Sequence, residues 1–311
     1  MGLDSSSVIF LGAARSLGVD FSTTAMIGRQ SFWPDAATLR QVFATHGIDR
    51  HAEDFVRDNK YAEEFFRLLG AKEIASLDVS PYEHASIIHD MNLPVPQTLH
   101  EQFSCVHDGG TIEHVFNIPQ AFKNCMEMVK IGGHFTQVNI ANNYTGHGFW
   151  QFSPELIFRL FTEANGYQIE AVLMHEVIPG GGWYVVSDPD KIRQRVELCN
   201  DQPTYVLTIA KRISNVEIFH RPPQQSDYVT LWEQTLNRQQ AAIPAGAGAR
   251  STTWKRHVPQ PLKRAIKSIA RPFVAYGDRG AAAGHHQFKR GFDPAAYRRI
   301  DEDALLRGQL K

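Results

Sequence analysis

FSCVHDGGTIEHVFN occupies residues 103–117, and KIGGHFTQVNIANNYTGHGFWQF occupies residues 130–152. The first stretch opens with a short apolar run that ends in Asp108-Gly109-Gly110, which reads as a buried strand running into a turn. Residues 119–128 have helical spacing, and residues 134–140 read as the next strand. That second strand delivers a loop carrying His147 between Gly146 and Gly148. Polar chemistry therefore collects at the carboxyl ends of two neighbouring strands, where open α/β sheets bind ligands.

The same alternation extends outward. Residues 24–27 form a short strand turning at Gly28-Arg29-Gln30, and Pro34-Asp35 starts a helix through Gln41 with Gly47 as its stop. Residues 48–60 are polar and read as loop, and residues 61–69 form a helix closed by Gly70. Two strands then end in acids: 73–78 in Asp78 and 85–90 in Asp90. Ser153-Pro154-Glu155 opens a helix to about 164, since Ser caps and Pro fits the first turn. Later strands fall at 169–175, 182–187 and 204–212, while residues 1–22 look irregular or weakly helical. Strands alternating with helices predict a mostly parallel sheet covered on both faces.

The organisation expected is an N-terminal segment over 1–21, a main domain over 22–240 and an extension over 241–311. Within the extension, residues 241–252 (AAIPAGAGARST) read as a linker. Residues 261–272 carry apolar side chains at 262, 265, 266, 269 and 270, a helical spacing with a basic opposite face. That helix is expected to pack on the body, with weak contact to a membrane surface as the alternative.

A hydrophobic fraction of 43% and a charged fraction of 21% are ordinary for a globular protein. No apolar run reaches the ~20 residues of a membrane-spanning helix, and the N-terminus lacks the basic start of a signal peptide. The three cysteines include no CxxC pair, which suits reduced thiols and a cytoplasmic location. The net charge of -1 conceals 14 basic against 5 acidic residues in 246–311, so the body is acidic. With no basic stripe and interleaved aromatics in that body, a nucleic-acid partner is not expected. The oligomeric state is not legible.

Individual residues suggest roles. Asp78 at a strand end suits the two hydroxyls of a ribose, although a strand-ending Asp is also a common turn residue. Asp90 followed by Met91 offers a polar group beside an apolar surface, which suits an adenine, or simply an Asx turn. Gly109 lets a ligand approach the backbone next to Asp108. His114 and His147 are candidate general bases, with Glu113 to orient an imidazole or bind a substrate hydroxyl. Tyr144 and Trp150, with Phe149 and Phe152 nearby, offer a flat apolar surface to a substrate ring; core packing is the plainer reading. Asp108, Glu113, His114 and His147 are suitable metal ligands, but no tight ligand spacing such as HExxH occurs, and no metal is expected.

Gly28, Asp78, Asp90 and Asp108 thus follow four successive strands. That order, with GTIEHVFNIPQAFKNCMEMVKIGGHF and GHGFWQFSPELIFRLFTEANGY, resembles the class I S-adenosylmethionine-dependent methyltransferases over about residues 22–215. The resemblance implies a Rossmann-like sheet of seven strands, six parallel and the last reversed, with helices on both faces. It implies S-adenosylmethionine as cofactor, S-adenosylhomocysteine as product, and a small-molecule or glycan hydroxyl as acceptor. By position, Gly28 would meet the methionine end, Asp78 the ribose, Asp90 and Met91 the adenine, and Asp108 and Gly109 the methyl group. One departure stands out: the family's first turn carries several glycines, and here only Gly28 is present, in MIGRQ. Two other readings follow, N-methylation of a small-molecule nitrogen and a non-catalytic scaffold that has lost the cofactor.

Overall fold

A computed structural model describes residues 2–228 and 291–310. The chain opens with β1 (Gly2–Leu3) and α1 (Ser5–Ser16), which Asp4 caps by accepting from the Ser7 amide at 2.8 Å. The sequence reading of 1–22 as irregular or weakly helical resolves into a full helix over Ser5–Ser16. In α1, residues 6–14 are all buried, so apolar residues surround the helix and no amphipathic stripe marks it.

There follow β2 (Thr23–Ile27), β3 (Ser31–Phe32), α2 (Ala36–His46), α3 (Ala52–Asp58) and α4 (Glu63–Leu69). Helix α3 lies in the stretch read as loop. It is a single short amphipathic segment whose Phe55 packs edge-on against Phe32 and Phe43. Next come β4 (Glu73–Asp78), β5 (Ile87–Ile88), β6 (Phe103–Asp108), α5 (Ile118–Met128) and β7 (Val129–Asn142). Strand β5 keeps only the middle of the expected 85–90 run, and β7 starts early enough to include Gly132 and Gly133. Then come α6 (Pro154–Leu160), β8 (Tyr167–Glu176), β9 (Trp183–Val186), α7 (Pro189–Ile192), β10 (Leu198–Cys199) and β11 (Thr204–Arg212). After the undescribed residues come β12 (Gly291–Phe292), β13 (Tyr297–Ile300) and α8 (Glu302–Leu306).

The main sheet runs β5-β4-β2-β6-β7-β11-β8-β9-β13. Strands β5, β4, β2, β6 and β7 are mutually parallel, and β11 is antiparallel to both β7 and β8. Six strands therefore point one way, and the reversed seventh lies between the fifth and sixth in chain order. This is the α/β sheet the sequence predicts, extended at one edge by β9 and β13. The direction of strand crossover reverses between β2 and β6, so the ligand crevice of such a sheet belongs at the tips of those strands.

Two apolar cores flank the sheet. One joins α1, α2 and α4 to Cys105, Val138 and Leu207; the other joins α5 and α6 to Val106, Phe135 and Val206. The alternation along β6 and β7 sends successive side chains into opposite layers.

The segments at both ends are part of this body, not appendages to a 22–240 domain. Strand β13 pairs with β9, Leu305 and Leu306 are fully buried, and the Ser16 hydroxyl donates to the Leu306 carbonyl at 2.6 Å. The expected linker at 241–252 and basic helix at 261–272, with its membrane contact, lie outside the described residues. Among the described residues, no helix is long and apolar enough to cross a membrane.

Candidate active site

The tip of β6 builds the site. The Asp108 side chain is fully buried, and its Oδ1 accepts from the amides of Thr111 at 3.0 Å and Ile112 at 3.3 Å. That turn starts a single 3-10 turn, Ile112–His114, which carries Glu113 and His114. Asn139 of β7 bridges the two acids: its Nδ2 donates to Asp108 Oδ2 at 2.8 Å and to Glu113 Oε2 at 3.0 Å. Burial drives both carboxyls above their ordinary range, and the charge of Asp108 lifts Glu113 further.

The loop after β7 folds back onto this turn. The amides of Phe149 and Trp150 both donate to the Glu113 carbonyl, at 2.9 and 3.2 Å. Gly148 makes the approach feasible, since a β-carbon there would stand 3.0 Å from that carbonyl oxygen and 3.3 Å from His114 Nδ1. The loop thereby sets His147 Nε2 4.0 Å from Glu113 Oε1, with the two imidazole rings 5.3 Å apart. Burial, and then the charge on His147, lower the pKa of His114.

A cavity of about 340 Å³ opens here. Its floor is Gly109, Gly110, Val138 and Ile140; Glu113, His114 and His147 form one wall. Gly2, Ser7 and Trp33 line it on the N-terminal side, and Tyr144 and Tyr205 complete the lining. The two tyrosine rings stack at 5.7 Å, and the Tyr205 hydroxyl donates to Asp4 at 3.2 Å. Expected residues Gly109, Glu113, His114, Tyr144 and His147 thus meet in one place. Trp150 does not join them: its indole N–H donates to the Val115 carbonyl at 2.9 Å. Phe152 is buried in the α5-side core.

The expected cofactor residues are divided. Gly28 adopts a left-handed backbone at φ 70°, which a turn after β2 requires. The space beside it is filled: a β-carbon at Gly28 would stand 2.7 Å from Thr111 Oγ1, and one at Gly109 would stand 2.6 Å from Gln30 Oε1. Thr111 Oγ1 and Gln30 Nε2 both donate to the Ile27 carbonyl, each at 2.6 Å, which ties the tips of β2 and β6 together. Asp78 and Asp90 stand at adjacent strand ends away from the cavity lining. The half-buried Asp78 carboxylate accepts only from the Ser80 amide among the described residues, which leaves most of its acceptor capacity unused. Asp90 Oδ1 accepts from the amide and side chain of Asn92, the Asx turn named as the plainer reading. Met91 is a core residue, 5% exposed, and does not line the cavity. Asp108 faces Asn139 instead of the crevice.

Sequence reasoning missed Asn139, Gln30 and Tyr205. Asn139 left only a partial trace, a polar residue between the apolar Val138 and Ile140, in a strand that also carries Thr136 and Gln137. Gln30 and Tyr205 left none, since their roles depend on packing across distant strands.

No family model and no curated protein matches this chain. Among solved structures it is similar to a Bacillus halodurans C-125 protein named for methyltransferase activity, at TM-score 0.38 and 11% identity, covering 68% of this chain and 100% of that one. TehB from Haemophilus influenzae aligns at TM-score 0.36 and 12% identity, over 66% of this chain and 61% of that one. The N-methyltransferase NodS from Bradyrhizobium japonicum, solved with S-adenosyl-L-homocysteine, aligns at TM-score 0.35 and 14% identity, over 68% and 86%. These likenesses are remote, and the fold rests on the strand order itself.

Proposed function

We propose that this protein is an S-adenosylmethionine-dependent methyltransferase acting on a hydroxyl of a small molecule or glycan. One observation carries the reading: a six-plus-one sheet with a cavity over the tips of β6 and β7, where two imidazoles and a buried carboxyl meet. S-adenosylmethionine supplies a methyl group already activated on a sulfonium, so the protein's task is alignment and proton removal.

The residues fit that group in part. The Asp78 carboxylate, with acceptor capacity to spare, suits a ribose diol, and Gly109 and Gly110 leave backbone open to the cavity. Gln30 does not fit in the rotamer it adopts, because it fills the crevice beside Gly28 and Gly109. Tyr144 and Tyr205 offer the acceptor a flat wall, and the Glu113–His114–His147 cluster is where its hydroxyl would lose a proton. An amine acceptor would need less help from that cluster, so N-methylation on the same scaffold is the nearer alternative. Gln30 favours a second reading, a non-catalytic relative whose crevice is permanently closed.

Calorimetry with S-adenosylmethionine separates the two. Heat of binding at micromolar to millimolar cofactor supports the enzyme; none, in both the native chain and Gln30→Ala, leaves the scaffold. With an acceptor in hand, His147→Ala should slow turnover about 100-fold or more if the cluster removes the proton.

A further inference from the structure

We propose that Glu113, His114 and His147 form a binding site for a divalent first-row transition metal ion at the cavity wall. One donor atom from each residue lies within 4.8 Å of the others. Ligands about a tetrahedral zinc stand roughly 3.3 Å apart, so ring rotations of about 1 Å would close the set, and both histidines are exposed enough to make them.

Three features of the surroundings fit a cation site. Asn139 holds Glu113 Oε2, which leaves Oε1 turned toward His147; ligating carboxylates are commonly fixed in this way by a hydrogen-bond partner. Two backbone bonds to the Glu113 carbonyl strap the His147 loop in place. Gly110 and Gly148 keep β-carbons out of the space, since one at Gly110 would stand 3.1 Å from Glu113 Oε1. Two imidazoles with one carboxylate select zinc, cobalt or iron over magnesium or calcium, which prefer oxygen. Three protein ligands leave a position open toward the cavity. The sequence offered these three, with Asp108, as suitable ligands and lacked only a tight spacing; the fold brings His147 to the adjacent Glu-His pair.

This site deepens the reading above and rests on it for its role. The cation would take the acceptor hydroxyl oxygen as a further ligand and lower its pKa, with the proton passing to solvent water. That oxygen then forms its bond to the methyl carbon as the carbon–sulfur bond breaks and the sulfur keeps the electron pair.

The test uses the full chain, made without a polyhistidine tag and dialysed against chelator. Zinc chloride is titrated calorimetrically, and cobalt chloride is followed by its visible d–d absorption. The expected result is one equivalent bound at micromolar affinity or tighter, with the intense bands of four-coordinate cobalt. His147→Ala and Glu113→Gln should each weaken binding about 100-fold, and Asn139→Ala about 10-fold, with unchanged circular dichroism. Absence of binding to the native chain, or equal affinity in His147→Ala, would overturn the site. Cofactor titration of the same chelated protein keeps the two ideas separate. Cofactor binding without metal binding sinks this site alone; metal binding without cofactor binding sinks methyl transfer and leaves the site standing.

Discussion

Gln30 Oε1 stands 2.6 Å from where a β-carbon on Gly109 would lie, so the turn after β2 and the turn after β6 are locked against each other. Gln30 is fully buried, and this oxygen has no hydrogen-bond partner among the described residues. A buried acceptor left unpaired costs about 1–3 kcal/mol. Gln30→Ala is therefore expected to tighten S-adenosylmethionine binding by about tenfold, read by calorimetry. Equal or weaker binding would mean the amide does not occupy the ligand's place.

Asp78→Asn should weaken the same binding by about 10- to 100-fold, the range for hydrogen bonds to a charged group. Thermal stability should barely move, because the carboxylate serves only its own turn at Ser80. Unchanged affinity would remove Asp78 from the ribose.

Asn139→Leu is expected to destabilise the fold by about 1–3 kcal/mol in urea titration, since it strips one amide from two buried carboxyls. An unaltered midpoint would show that Asp108 and Glu113 find donors elsewhere.

Most of the scaffold was legible, and physical reasons mark where legibility stopped. Strand β11 coincides with the expected 204–212 because its ends carry clear polar and turn signals. Helix α1 registered only weakly because burial along residues 6–14 blurs periodicity. The Glu113–His114–His147 cluster was readable as candidates, since each follows a strand tip. The cofactor residues were less so: Asp90 and Met91 have the right spelling, yet local hydrogen bonding and core packing claim them. Nothing in MIGRQ reveals that its glutamine folds inward.

Buried histidines set an acid response. Burial lowers the His175 pKa to about 4 and that of His107 to about 3. Below the unfolded value near 6.5, the unfolded chain binds protons that the folded chain refuses, so each lowers stability as pH falls. The buried carboxyl pair, raised by burial, acts in the opposite sense, so the parent-minus-variant difference is the quantity to read. Relative to the parent, His175→Gln should lose less stability between pH 6.5 and 4, by about 1.4 kcal/mol per pH unit. Parallel curves for parent and variant would mean His175 is protonated in the native state.

Leu306→Ala should cost about 2–5 kcal/mol, the range for a fully buried leucine. A β-carbon on Gly12 of α1 would sit 3.1 Å from Leu306 Cδ2, so the loss falls on the first helix as well as the last. A melting temperature within a degree or so of the parent would show the C-terminal helix to be dispensable.

That partnership between α1 and α8 bears on how the chain folds. Helix α1 cannot finish sheltering its apolar surface until α8 has docked, a contact that joins residues 290 apart in sequence. Meanwhile the outer edge of β9 waits for β13 with its backbone groups unpaired. Contacts so distant in sequence close slowly, so both surfaces stay open to solvent longer than those covered by neighbouring elements.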